Sequence, residues 1–375
     1  MKIFYDENMP FAPEFFASIG ELYPFAGREL TPEQVQEADV LLVRSITKVN
    51  EELLSRNSTL SFVGTATIGV DHIQQSYLQQ RGIAFYSSPG CNAISVAEYV
   101  ISALVVMAER YLLDIFSLTV GIVGAGNTGS RLSEKLTALG IKHKLCDPLL
   151  AAKGDNRAFV SLEEVLACDV ISLHVPLTIE GEHKTFHLLD EVKLNALSEN
   201  QILVNACRGE VVDNQALLKM KQAGHGLKLV LDVWENEPDL LEPLIAYTDI
   251  ATAHIAGYSL EGKARGSEML YQALCSRLNI DATLALKNFL PASAIEQVKI
   301  NQAFDKNILN QLVKMVYDVR RDDAIFRQQI HQQGFDYIRK TYPARREFSS
   351  LTVTFKNEAE SDVPHQLGFN NVNDN

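Results

Sequence analysis

The sequence predicts an α/β protein with two doubly wound, Rossmann-like parallel sheets and a small C-terminal α+β domain. Three observations lead there. Short apolar runs alternate with helical stretches, twice over, up to about residue 254. A glycine-rich turn, Gly124-Ala125-Gly126-Asn127-Thr128-Gly129, joins one run to a helix. Charged and hydroxyl residues stand where the runs end, as Arg44, Ser45 and Arg208 do.

In chain order, "KIFYDE", "DVLLVRS", "LSFVGTATIG" and "GIAFYSS" read as the strands of the first sheet. Ligands of such sheets bind beyond the carboxyl ends of the strands, which places Arg44, Ser45 and Thr67 at a binding edge. "SVAEYVISALVVMAER" turns helical, with Ser95 as N-cap and Glu98 three residues on. Its near-continuous apolar character predicts a buried helix linking two domains. "LTVGIVG", "KHKLCDP", "DVISLHVP", "QILVNAC", "LKLVLDVW" and "IATAHIA" supply the second sheet. "YSLEGKARGSEMLYQALCSRL" is a helix, and Pro291 marks a boundary. Beyond it, "NQLVKMVYDVRRDDAIFRQQ" reads as helices and "FSSLTVTF" as strand. The polar end from Asn357 onward is expected to be loosely held. The expected division is 1–94 with 255–290 as a substrate-binding domain, 95–254 as a dinucleotide-binding domain and 291–375 as a C-terminal domain.

The bulk numbers are compatible with this. The 375 residues are 46% hydrophobic, enough for sizeable cores. A net charge of -13 and a pI near 5.2 argue against nucleic-acid or anionic membrane surfaces. They do not exclude a small anionic substrate held by local arginines. The five cysteines form no CxxC pair and fit reduced thiols. The acidic start "MKIFYDENMP" is unlike a signal peptide, and no apolar run reaches the roughly 20 residues a membrane span needs. A soluble, cytoplasmic protein is expected.

Gly124, Gly126 and Gly129 form a GxGxxG between the strand "LTVGIVG" and the helix "SRLSEKLTALG". Gly124 permits the tight turn, Gly126 admits a pyrophosphate, and Gly129 lets helix and strand pack closely. About 20 residues on, Asp147 ends the next strand, where a carboxylate accepts from ribose hydroxyls and repels a 2′-phosphate. The expected cofactor is NAD. Arg208, Glu237 and His254 form a set suited to oxidising a 2-hydroxy acid. A guanidinium grips a carboxylate bidentately. An imidazole takes the hydroxyl proton, oriented and charge-stabilised by an acid. Read singly, Arg208 could pair with Glu210 or cap a helix, Glu237 could be a solvated loop acid, and His254 a core histidine. His174 is expected to shape the pocket, and Asp232 to contact the nicotinamide carboxamide or serve the fold. No cluster has zinc or magnesium spacing, so no metal is expected.

"GIVGAGNTG", "NACRGEVVDNQAL", "DVWENEP", "TAHIAGYSLEGKARG", "GTATIGVDHI" and "PGCNAISVAEYV" together resemble the D-isomer-specific 2-hydroxyacid dehydrogenase family, over about residues 1 to 290. The resemblance implies an NAD-dependent enzyme. In it Arg208 anchors the substrate carboxylate, His254 is the acid/base and Glu237 its partner. It also implies that Asn127, Ala206, Cys207, Asp232 and Gly257 line the cofactor. "LLVRSITKVN" resembles members that act on phosphorylated sugar acids. Arg44, Ser45, Thr67 and Tyr258 would then hold a small phosphorylated 2-hydroxy acid. In such members the C-terminal domain makes a homodimer. Arg345 and Arg346 in "YPARREF" are expected in a solvated basic turn, with a reach to the substrate phosphate across the dimer as the alternative. Phosphoglycerate dehydrogenase and an NAD-sensing co-repressor remain the competing readings.

Overall fold

The computed structural model describes residues 1–357 and 362–371. The chain divides into two compact units: residues 1–92 with 258–292, and residues 93–257 with 293–375.

The first unit holds five parallel strands: β1 (Lys2–Asp6), β2 (Glu21–Phe25), β3 (Val40–Val43), β4 (Phe62–Thr65) and β5 (Ala84–Ser87). Their order is β2-β1-β3-β4-β5. Every residue of β3 and β4 is buried, which is why these strands read as unbroken apolar runs rather than as alternation. Val40, Leu42 and Phe62 face one core with Phe15, Phe16 and Leu270. Leu41, Val43 and Val63 face the other with Val35, Leu54 and Leu78. Strand β2 was not among the expected elements. Its sequence "ELYPF" contains Pro24, and proline is tolerated only because β2 is the sheet edge.

The second unit holds six parallel strands: β6 (Thr119–Val123), β7 (Lys142–Cys146), β8 (Val170–Leu173), β9 (Ile202–Asn205), β10 (Lys228–Leu231) and β11 (Ile250–Ala251). The order is β11-β10-β9-β8-β6-β7, and a bridge from Leu145 to Phe159 extends the β7 edge. The chain runs outward from β6 to β7, then returns across β6 to β8. The carboxyl ends of β6 and β8 therefore flank the switch point where such sheets bind ligands.

The helix Ala93–Arg110 is buried on nearly all sides. Ser95 is not its N-cap, contrary to the capping-box reading. The helix begins at Ala93, and the Ser95 hydroxyl donates to Glu347 Oε1 at 2.9 Å. Glu98 accepts from Lys135 Nζ (3.3 Å) and from the Phe348 N–H (3.0 Å). Burial pushes the Glu98 carboxyl up to about 7, against the pull of Lys135. The polar pair that resembled a cap is thus a socket for the C-terminal segment.

That segment opens with β12 (Gln297–Ile300), which pairs in parallel with β13 (Thr352–Phe355). Between them lie the expected helices, Lys306–Val316 and Val319–Gln333. The Ser102 hydroxyl fills the break, donating to Tyr317 O and accepting from Val319 N. Phe326 stacks on Trp234 with ring centroids 5.5 Å apart. Arg327 donates to the carbonyls of Ile245 and Thr248. The tail is also not loose where it is described. Residues Asp362–Gln366 form a helix, and Leu367 and Phe369 are buried, Phe369 stacked on Phe348 at 4.7 Å. The polar composition hid two apolar anchors. Residues 358–361 and 372–375 lie outside the described residues. Among the described residues no helix is long and apolar enough to cross a membrane.

Candidate active site

The glycine-rich turn sits at the switch point of the second unit. Gly124 has φ 91°, and a Cβ there would lie 2.5 Å from the His174 carbonyl oxygen that follows β8. Only glycine meets both demands. A Cβ on Gly129 would lie 2.0 Å from Gly124 O, whereas one on Gly126 would meet nothing within 4 Å. The turn is closed behind and open at Gly126, in front of the helix Asn127–Ala138 whose first N–H groups have no helical acceptor. These residues fit a pyrophosphate. Asp147, after β7, accepts from Ala125 N (2.9 Å) and Leu150 N (3.0 Å). Each carboxylate oxygen carries two lone pairs, so both can accept from a ribose as well. His174 Nε2 pairs with Ser172 Oγ at 2.8 Å, while its Nδ1 is buried without a protein partner. Burial pushes its pKa down to about 4, so the ring is neutral.

Arg208 follows β9. Asn205 shapes the turn that presents it, donating to Arg208 O (2.9 Å) and accepting from Cys207 N (3.2 Å). The Arg208 Nη1 donates to Cys207 O at 2.7 Å. Burial pushes the Cys207 thiol up to about 11, which removes it as a nucleophile. Gly209 packs on the backbone of Trp234, where a Cβ would come within 1.9 Å of the carbonyl carbon. The Arg208 turn is thereby locked to the loop that carries Glu237.

Glu237 and His254 form a pair. Glu237 Oε1 accepts from Trp234 N at 2.9 Å, and Oε2 meets His254 Nδ1 at 2.7 Å. Burial works to raise the Glu237 carboxyl. The charge and hydrogen bond of His254, the Trp234 N–H and the field of Arg339 outweigh it and hold the carboxyl below its ordinary value. With Nδ1 committed to the acid, Nε2 is the ring nitrogen left for a ligand. His254 itself sits at φ 56°, a left-handed conformation that costs a β-carbon residue about 1 kcal/mol or more.

Asp232 enforces that conformation. Its carbonyl accepts from His254 N at 2.6 Å. Its fully buried carboxylate accepts from Thr252 Oγ1, Ile255 N and Ala256 N. Asp232 thus serves the fold on both sides of His254, and this structural reading of it was open in the sequence. Ala206 and Gly257 flank the same carboxyl edge, at the ends of β9 and of the His254 loop.

Arg345 contradicts the solvated-turn reading. It is 2% exposed and donates to Ala256 O (3.0 Å) and Ser95 O (2.5 Å), with its guanidinium 3.6 Å from the Tyr317 ring centroid. The sequence showed an exposed-looking basic pair, since nothing local signals the two carbonyls it bridges.

In the first unit, Arg44 and Ser45 follow β3, and Thr67 follows β4. The Thr67 hydroxyl donates to Gly69 O (3.0 Å) and meets Thr65 Oγ1, which also meets His72 Nε2. Tyr258 precedes the helix Leu260–Leu278, which Ser259 caps through Gly262 N. Lys263, on that helix, lies over the Tyr258 ring and escaped the sequence reading. One acidic group with a histidine also escaped it: His187, Asp213 and Glu235 lie within 4.8 Å of one another. All three are already engaged, His187 with Glu235, Asp213 with Ala216 N, and Glu235 with Asn214 N.

Comparison with known proteins gives the context of this geometry. A family model for the D-isomer specific 2-hydroxyacid dehydrogenase NAD-binding domain matches residues 102–256. A model for a domain of unknown function matches 289–368. The chain is similar to the erythronate-4-phosphate dehydrogenase of Colwellia psychrerythraea, 65% identical over 99% of this chain and 100% of that one. It is 55% identical to the enzyme of that name from Tolumonas auensis, over 98% and 99% of the two chains. Among solved structures it resembles D-lactate dehydrogenase from Aquifex aeolicus complexed with NAD and lactic acid. That match has 27% identity and a TM-score of 0.59, covering 74% of this chain and 96% of that one. The NAD-bound 3-phosphoglycerate dehydrogenase of Entamoeba histolytica, at 23% identity and a TM-score of 0.63, shares the fold over 77% and 99% of the two chains. The glycine turn, the Arg208 turn and the Glu237–His254 pair thus stand in a chain that belongs to the erythronate-4-phosphate dehydrogenases, within the D-isomer-specific 2-hydroxyacid dehydrogenase family.

Proposed function

We propose that the protein oxidises 4-phospho-D-erythronate at C2 to 2-oxo-3-hydroxy-4-phosphobutanoate, with NAD, as a step of pyridoxal 5′-phosphate biosynthesis. The observation that carries this reading is the full-length match to relatives of that name. The geometry of the second unit supports it. NAD, when bound by Gly124, Gly126, Asn127, Gly129 and Asp147, supplies the acceptor for the hydride that leaves C2. Ala206, Cys207, Asp232 and Gly257 would also line the cofactor. Arg208 holds the substrate carboxylate as a bidentate cation. His254 Nε2 takes the C2 hydroxyl proton, and Glu237 stabilises the imidazolium that results. In the first unit, Arg44, Ser45, Thr67 and Tyr258 hold the rest of the substrate, its phosphate included. The enzyme works as a cytoplasmic homodimer built through residues 291–375.

The test is the appearance of NADH at 340 nm with purified protein and NAD. A kcat/KM on 4-phospho-D-erythronate at least about 100-fold above that on 3-phosphoglycerate is expected, since a site built for polar groups discriminates at that scale. Preference for 3-phosphoglycerate, or NAD binding with no turnover of either acid, overturns the reading.

A further inference from the structure

Lys263 lies in the first turn of the helix Leu260–Leu278. Three residues on, Gly266 packs so closely on the loop after β4 that a Cβ would come within 2.9 Å of Ala66 O. Residues three apart share a helix face. Lys263 shares the helix face that packs on the loop after β4, the loop that carries Thr67. Its Nζ lies 5.6 Å from the centroid of the Tyr258 ring. Both Lys263 and Arg44 are only partly exposed. Neither side chain has a hydrogen bond to the protein or a carboxylate partner among the described residues.

We infer that Lys263 and Arg44 form a dianion subsite for the substrate phosphate, making Lys263 a residue that selects phosphorylated over plain 2-hydroxy acids. The assignment rests on the function proposed above. Two part-buried cations with no acid between them disfavour one another. Burial and the nearby Arg44 charge together push the Lys263 ammonium down to about 8. Among the described residues Arg44 is the charged group whose field acts on it, and Tyr258 offers its ring face. A phosphate monoester carries about -1.5 to -2 charges near pH 7 and three acceptor oxygens. Bound between the two, it turns mutual repulsion into two charge-assisted interactions. An unphosphorylated acid offers nothing there.

Steady-state kinetics with NAD on D-erythronate 4-phosphate and on D-erythronate test this. K263M is expected to raise KM for the phosphorylated acid about 10- to 100-fold, the scale of one lost charge-assisted bond. Its kcat on that acid and its kcat/KM on D-erythronate are expected to stay within about threefold of wild type, and K263R to recover most of the loss. A second measurement needs no destabilising variant. The wild-type KM for the phosphorylated acid is expected to rise as pH passes 8, with no rise on D-erythronate and none in K263R. An unchanged KM in K263M, an equal loss on both acids, or a flat wild-type profile up to pH 10 overturns the assignment while leaving the function intact. Wild type that fails to oxidise D-erythronate 4-phosphate overturns the proposed function, and this assignment with it.

Discussion

Glu237 shows how one side chain is tuned for work. Its carboxylate is mostly buried, at 19% exposure, yet stays ionised because His254 and the Trp234 N–H outweigh burial. A depressed folded-state pKa stabilises the fold at pH values above the unfolded value. That contribution fades as pH falls through the folded value. Glu237→Gln is therefore expected to lower the urea midpoint at pH 7, and the gap to wild type is expected to shrink as pH is lowered through the depressed folded value. A gap that does not shrink as the pH is lowered would show that the charge of Glu237 does not stabilise the fold. The candidate residues were readable because each is a polar group placed after an apolar run: Arg208 after β9, Glu237 after β10 and His254 after β11. Lys263 was not, because a lysine in the first turn of an amphipathic helix looks like any solvated charge. Its significance lies in what surrounds it, Arg44 and Tyr258, which come from elsewhere in the chain.

Among the elements, the buried strands were legible and the edges were not. Strands β3, β4, β8 and β9 are continuous apolar runs because both faces are covered. Strand β2 carries a proline, and β12 is half exposed, so neither has that signature. The Ala93–Arg110 helix was visible, but the partners of Ser95 and Glu98 were not, since they lie some 250 residues away in sequence. Arg345 joins the same seam. One guanidinium reaches both Ser95 O and Ala256 O while lying flat on Tyr317. Arg345→Ala leaves two buried carbonyls short of a donor and opens a void, and is expected to destabilise the second unit by about 3 kcal/mol. Arg345→Lys is expected to recover less than half, because an ammonium cannot fork to both carbonyls and stack. Thermal or urea unfolding measures both, and a loss below about 1 kcal/mol for the alanine variant would contradict this account of the seam.

At the scale of the whole molecule, the C-terminal segment is part of the second unit's architecture. It stacks Phe326 on Trp234, three residues before Glu237. It brings Arg339 close enough to hold down the Glu237 carboxyl, and fastens Ala256 just beyond His254. The net charge of -13 argued against a nucleic-acid surface but carried no information about where single cations such as Arg44, Lys263 or Arg208 stand.

In the proposed reaction His254, oriented by Glu237, moves the proton while the glycine-rich turn holds the cofactor independently. The most direct measurement pairs kcat for 4-phospho-D-erythronate with the dissociation constant for NADH in His254→Ala. The kcat is expected to fall about 1,000-fold, within the range for general acid–base groups, with NADH affinity within about twofold of wild type. A variant that keeps its kcat, or one that loses NADH affinity in step with kcat, would contradict it.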